Sequence, residues 1–158
     1  MASPASISKH PIHPMLIPIP IGLWLFSLVS DFISIFRGGD VFWNNVAFYA
    51  MLGGVIGALL AAVPGFIDWL SLKEPRVKSI GLWHMVINLI VVGLFGFNLW
   101  LRTGSSPDAR LPFALSVISV VLLGVSGWLG GEMVFKHGVG VKPQQDSSAE
   151  ARSKARIV

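Results

Sequence analysis

Four long runs of apolar residues, separated by short polar or charged segments, dominate the chain. The pattern predicts helices over residues 15–36, 42–72, 79–101 and 111–135, and each run exceeds the ~20 residues that a helix needs to cross a bilayer. Pro18 and Pro20 fall in the first turns of the first helix, where proline is tolerated. The sequence therefore predicts an all-α protein, a four-helix transmembrane bundle with both termini on the same side.

Composition agrees with a chain whose outer surface meets lipid. Hydrophobic residues make up 53% of the chain and charged residues 13%, a balance outside the range of soluble domains. The first apolar run is long enough to span and follows a polar, Pro-rich opening, so we predict no cleavable signal peptide. Residues 143–158 are polar without apolar periodicity, which predicts a disordered tail after one membrane domain over residues 1–142.

The basic residues indicate the orientation of the bundle. Of the 12 Lys and Arg residues, three fall on the side opposite the termini, namely Arg37, Arg102 and Arg110. The positive-inside rule then predicts cytoplasmic termini in a bacterial inner membrane. This topology explains the net charge of +4, and because no basic stripe follows a soluble face, we expect no nucleic-acid partner.

Small and polar residues at helical spacing predict contacts between helices. Gly53, Gly57, Ala61 and Gly65 form a stripe on the second helix, which is typical of close helix packing. Ser27, Ser30, Asp31 and Ser34 form a polar stripe on the first helix. We expect Asp31 to pair with one of the three arginines on its side, Arg37, Arg102 or Arg110.

All four histidines and two carboxylates gather at the side that carries the termini: His10, His13, Asp68, His84, Glu132 and His137. Imidazole is a common ligand of iron, copper and zinc, and a carboxylate often completes or orients such a site. These six residues are therefore candidate metal ligands. His13, His84 and His137 are also candidate ligands of a b-type haem, with His84 opposite His13 or His137. Asn88, four residues after His84 on the same helix face, is a candidate to orient its imidazole.

Two other interpretations of the same residues stay open. In one, the histidines and carboxylates only form hydrogen bonds across helix ends, and the chain is a non-catalytic membrane subunit that docks a partner. In the other, the chain carries a metal ion across the membrane. The chain has no Cys, which excludes disulfides, thiolate metal sites and c-type haem attachment. No hydrolase or nucleotide-binding motif occurs, so these two classes of enzyme have little support. The sequence does not decide whether the protein is an enzyme of another class.

Three segments together resemble a bacterial family of small four-helix membrane proteins of unknown function: HPIHPMLIPIPIG, AAVPGFIDWL and GWLGGEMVFKHGVGV. The resemblance covers nearly all of residues 9–142, and His10, His13, Asp68 and His137 fall within its motifs. Relatives fused to Rieske-type iron–sulfur domains imply an electron-transfer partner. The resemblance thus favours a redox role, with a b-type haem or a redox metal, iron or copper, as the expected cofactor. Lipid, a Rieske-type or other redox protein and a second copy of the chain are the expected partners.

Overall fold

A computed structural model describes residues 3–8, 10–104 and 110–141. In these ranges a pair of two-residue strands precedes five helices: β1 Ser6–Ile7, β2 His10–Pro11, α1 Ile12–Leu16, α2 Pro18–Phe36, α3 Val41–Leu70, α4 Pro75–Thr103 and α5 Arg110–Phe135. The strands pair antiparallel, with Ser6 opposite Pro11. The predicted tail over residues 143–158 lies outside the described residues.

Four helical spans are long and apolar enough to cross a membrane, which confirms the predicted all-α four-helix fold. They are Ile12–Phe36, in which α1 continues into α2, and the three helices α3, α4 and α5. Large hydrophobic side chains are exposed along all four spans. This surface is expected of helices that face lipid, since hydrocarbon chains are as apolar as the side chains themselves.

Two helical spans begin three or more residues earlier than the sequence pattern predicts. Helix α1 begins at Ile12, so His13 lies within a helical turn rather than before the first helix. Helix α4 begins at Pro75 instead of Ser79. Proline suits the first position of a helix because its missing N–H has no helical acceptor there and its φ angle is already helical. The first turn of α4 therefore contains Arg76 and Lys78.

The helices pack as two antiparallel hairpins. Helix α2 lies along α3 and α4 lies along α5, and the packing within each hairpin is closer than the packing between hairpins. The small-residue stripe of α3 permits this approach: a Cβ placed on Gly53 would lie 3.1 Å from the Leu23 side chain, and one on Gly57 3.3 Å from Ile19. We call α1–α3 the first hairpin and α4–α5 the second.

A hydrophobic layer joins the two hairpins near the middle of the bundle. The indole of Trp24 stacks on the ring of Phe95 with centroids 4.6 Å apart, and Met51, Val91 and Leu99 complete this core. Along α4, Val91 and Phe95 of this layer lie between Asn88 and Asn98. The layer therefore separates two polar clusters, which we call the Asp31 end and the histidine end of the bundle.

A buried ion pair holds the hairpins together at the Asp31 end. Arg102 donates from Nη1 to Oδ1 of Asp31 at 2.8 Å and from Nη2 to Oδ2 at 2.6 Å. The Ser116 hydroxyl donates to the same carboxylate at 3.1 Å, and Nε of Arg102 donates to Oδ1 of Asn98 at 2.9 Å. The predicted pairing of Asp31 with an arginine is confirmed, and Arg102 is the partner.

Candidate functional site

Of the six predicted ligands, His13 and His84 approach each other. Their ring centroids lie 6.4 Å apart, and the ring planes are almost perpendicular, at 89°. His13 belongs to α1 and His84 to α4, so the two imidazoles meet across the interface between the hairpins. Both side chains are half-buried.

The imidazole of His13 is fixed to the first hairpin by α3. Its Nδ1 lies 2.8 Å from the carbonyl oxygen of Ala61. The ring packs on Gly65, one turn further along α3, where a Cβ would lie only 2.7 Å from Nδ1. Pro64 lies inside α3 between these two residues. Because proline has no N–H, it interrupts the helical hydrogen bonds at this point, beside the carbonyl that accepts from His13.

The imidazole of His84 is fixed in the same way to α5. Its Nδ1 lies 2.8 Å from the carbonyl oxygen of Ser126 and 3.0 Å from the hydroxyl of the same residue. The ring packs on Gly130, where a Cβ would lie 3.2 Å from Cε1. Each histidine thus bonds a backbone carbonyl of its partner helix and packs on the glycine four residues later.

The tautomer of each ring follows from these contacts. A backbone carbonyl can only accept a hydrogen bond, so Nδ1 carries the hydrogen in both rings. In a neutral imidazole the other nitrogen, Nε2, then keeps its lone pair. Among the described residues, Nε2 of His13 has no hydrogen-bond partner. In both neutral rings Nε2 is therefore the nitrogen with a lone pair that a metal can bind.

Asn88 lies beside Nε2 of His84, as its spacing on the helix predicts. Its Nδ2 lies 2.6 Å from the Ser126 hydroxyl, 2.8 Å from the His84 carbonyl oxygen and 3.2 Å from Nε2 of His84. An amide group has two hydrogens, and the two shorter contacts account for both. The third contact is the longest, so Nε2 of His84 keeps most of its capacity to accept.

The other predicted ligands lie in separate contacts. Asp68 accepts from the Ser3 hydroxyl at 2.6 Å and from the backbone N–H of Ala5 at 3.2 Å, so it holds the N-terminal segment against α3. Glu132 pairs with Lys136 at 3.2 Å. His10 is exposed, with Nδ1 3.0 Å from its neighbour Ser8's carbonyl oxygen. His137 is half-buried in the turn after α5.

Within residues 3–8, 10–104 and 110–141, no three of the His, Asp and Glu side chains form a group that can hold a metal ion. A bare-metal site built from three or more of the six predicted ligands therefore has no support from this arrangement. The pair formed by His13 and His84 remains a predicted binding site for a haem, which needs only two ligands from the protein.

Sequence reasoning did not find the residues that hold the imidazoles. Ala61 and Ser126 act through their backbone carbonyls, which no side-chain pattern reveals. Gly65 was attributed to packing between helices, although the residue that it contacts is His13. One signal in the sequence is a small residue followed four positions later by a glycine. This order occurs in the membrane span that comes after the span of each histidine.

Fold and site together define a multi-pass helical membrane protein with an imidazole pair between its two hairpins. A family model described as "Predicted membrane protein (DUF2231)" matches residues 9–143, and the chain belongs to this family. The match confirms the resemblance seen in the sequence. No curated protein and no solved structure matches the chain.

Proposed function

We propose that His13 and His84 are the axial ligands of a b-type haem and that the protein transfers electrons within the membrane. One observation carries the proposal: two imidazoles from different hairpins have ring centroids 6.4 Å apart, and Nδ1 of each is already bonded to a helix carbonyl. A histidine that binds a metal usually donates its other ring N–H to such an acceptor, which fixes the ring and raises the basicity of the binding nitrogen.

The spacing of the rings suits a metal between them. A metal–nitrogen bond of about 2.1 Å, with about 1.2 Å from nitrogen to ring centre, places the centroids of a linear imidazole–metal–imidazole unit about 6.6 Å apart. The observed separation is 6.4 Å. Perpendicular ring planes are compatible with this arrangement because each ring rotates about its own metal–nitrogen bond.

Two imidazoles favour a haem over a bare ion. A protein site for a bare transition metal ordinarily takes three or four side chains, whereas haem iron obtains four nitrogens from the porphyrin and needs only two axial ligands from the protein. The pair also lies at the interface between the hairpins, and over their whole length the helices pack less closely across this interface than within each hairpin. Both points support a planar group that enters between the hairpins.

Axial ligation by two histidines supports electron transfer over oxygen chemistry. His13 and His84 would together hold the haem from both sides and leave no room for a substrate or dioxygen at the iron, so the chemistry that the haem would supply is electron transfer. The histidine end lies on the side with most of the basic residues, which the positive-inside rule assigns to the cytoplasm of a bacterial inner membrane. A Rieske-type or other redox protein would exchange electrons with the site there.

The test is an optical spectrum of the detergent-purified chain, expressed with added iron and haem precursor, before and after reduction by dithionite. We expect a Soret band, sharp absorption bands after reduction, and one haem per protein chain. His13→Ala and His84→Ala should each abolish the low-spin spectrum. The matched controls His10→Ala and His137→Ala should leave it unchanged.

Three outcomes would overturn the proposal. A colourless, metal-free protein would favour the second candidate, a non-catalytic membrane subunit, which the internal bonding of both Nδ1 atoms and of Asp68 also supports. A colourless protein with stoichiometric iron or copper would favour a bare-metal site or a metal-ion carrier. A haem spectrum that is lost only with His10 or His137 would place the site elsewhere.

A further inference from the structure

We propose that Gly65 and Gly130 are positioning residues, which hold the imidazoles of His13 and His84 in one tautomer by leaving a notch beside a helix carbonyl. The inference rests on the proposed function only for the use of the two Nε2 atoms as ligands of a bound group. The tautomer itself is a property of the chain without any bound group, so it is measurable whether or not a haem binds.

The first notch has no room for a side chain. A Cβ on Gly65 would lie 2.7 Å from Nδ1 and 2.9 Å from Cε1 of His13, and real Cβ atoms essentially never approach other atoms within 3.0 Å. The ring lies here because its Nδ1 reaches the Ala61 carbonyl at 2.8 Å. An alanine at position 65 therefore pushes the ring away from its acceptor.

The second notch is built alike but is slightly wider. A Cβ on Gly130 would lie 3.2 Å from Cε1 and 3.5 Å from Nδ1 of His84, so the ring must give by only a few tenths of an ångström. In each hairpin the order is the same: a carbonyl acceptor, then a glycine four residues later. One turn of helix separates these positions, so both face the same ring.

General helix packing does not account for glycine at position 130. On the same helix, a Cβ on Gly124 or Gly127 would meet nothing within 4 Å, so these glycines are not required by a close neighbour. Gly127 lies less than one turn from Gly130 and provides a matched control. The contrast assigns a specific role to the glycine against which the imidazole packs.

The experiment is nuclear magnetic resonance of the full chain labelled with ¹⁵N-histidine in detergent micelles, without added metal or haem. Long-range proton–nitrogen correlations distinguish hydrogen on Nδ1 from hydrogen on Nε2. We expect His13 and His84 of the wild type to carry hydrogen on Nδ1. Gly65→Ala should shift the signals of His13 toward a mixture of tautomers, Gly130→Ala should do so to a smaller extent for His84, and Gly127→Ala should change neither.

A second readout connects the notches to the proposed haem. Loss of an outer partner of a metal-binding histidine commonly lowers metal affinity by about 10–100-fold, so Gly65→Ala should weaken haem retention by at least about tenfold relative to Gly127→Ala. Hydrogen on Nε2 in the wild type, or Nδ1 signals unaffected by Gly65→Ala, would overturn the positioning role. If Gly65→Ala does not fold, Gly130→Ala, at which the ring must give by only a few tenths of an ångström, provides the same comparison for His84. A colourless protein with the expected tautomers would overturn the haem alone.

Discussion

Replacement of Arg102 by leucine should destabilise the bundle by about 3–5 kcal/mol, because it leaves the carboxylate of Asp31 buried without its ionic partner. The side chains of Asp31 and Arg102 are only 5% and 13% exposed. Two guanidinium nitrogens bond this carboxylate in the intact protein, at 2.8 and 2.6 Å. After the change, the neutral hydroxyl of Ser116 is the remaining donor among the contacts described here.

The double variant Asp31→Leu, Arg102→Leu should be much less harmful than either single change. It removes both charges, and a buried ion pair is often replaceable by apolar residues at little net cost. What remains is the loss of one donor to Asn98, since Ser116 still has the Pro112 carbonyl oxygen at 3.2 Å. At about 0.5–1.5 kcal/mol for a hydrogen bond, the double variant should lose about 0.5–1.5 kcal/mol.

Reversible unfolding by sodium dodecyl sulfate in mixed micelles, followed by circular dichroism, measures these differences. Arg37→Ala provides the control: Arg37 and Asp40 pair at 3.2 Å near the same end of the bundle, but their side chains are 64% and 27% exposed. An exposed pair contributes about 0–1 kcal/mol. The reasoning is wrong if Arg102→Leu costs no more than Arg37→Ala, or if the double variant loses the sum of both single losses.

Three further changes test the packing of the helices and the hydrogen bonds that hold the N-terminal segment. Gly54→Ala should destabilise the protein by about 1–3 kcal/mol, because its Cβ would overlap the Trp24 indole. Gly93→Ala, whose Cβ would meet nothing within 4 Å, should be neutral or stabilising by up to about 1 kcal/mol. Equal melting temperatures of the two variants would contradict this expectation. Trp24→Phe should change the unfolding free energy by less than about 1 kcal/mol, because the lost volume is offset by loss of the buried Nε1–H, which has no hydrogen-bond partner among the described residues. A loss above about 3 kcal/mol would indicate a partner for Nε1. Asp68→Ala should release the N-terminal segment and speed its limited proteolysis several-fold, and Glu132→Ala, which breaks only an exposed contact, should not.

The membrane helices were predictable because lipid imposes a requirement that each run meets by itself. Twenty or more apolar residues satisfy their backbone only as a helix, whatever lies beside them. The pairing of Asp31 followed from the same constraint, since a carboxylate at membrane depth needs a cation. The choice of Arg102 among three arginines was not predictable, because it depends on the rotation of α4 about its axis.

The convergence of the ligands was predictable only to the level of one membrane face. Alternating helices bring His13 and His84 to the same depth, but depth does not fix distance. The sequence predicts Asp68 as a ligand, but in the structure its carboxylate accepts a hydrogen bond from the Ser3 hydroxyl of the N-terminal segment. That contact joins residues 65 positions apart, and no local pattern in the sequence indicates it.

Each hairpin supplies one imidazole, one carbonyl acceptor and one glycine, as each subunit of a symmetric dimer supplies half of a site on its two-fold axis. The likeness is incomplete, because Asn88 follows His84 by four residues while Ile17 follows His13. The proposed haem would therefore have an amide beside its ligand from the second hairpin, and the corresponding position of the first hairpin carries an aliphatic residue. Cleavage of the chain between residues 71 and 74 would yield two fragments with half a site each, and the proposed haem would then add to the Asp31–Arg102 ion pair and the Trp24–Phe95 stack that hold the fragments together.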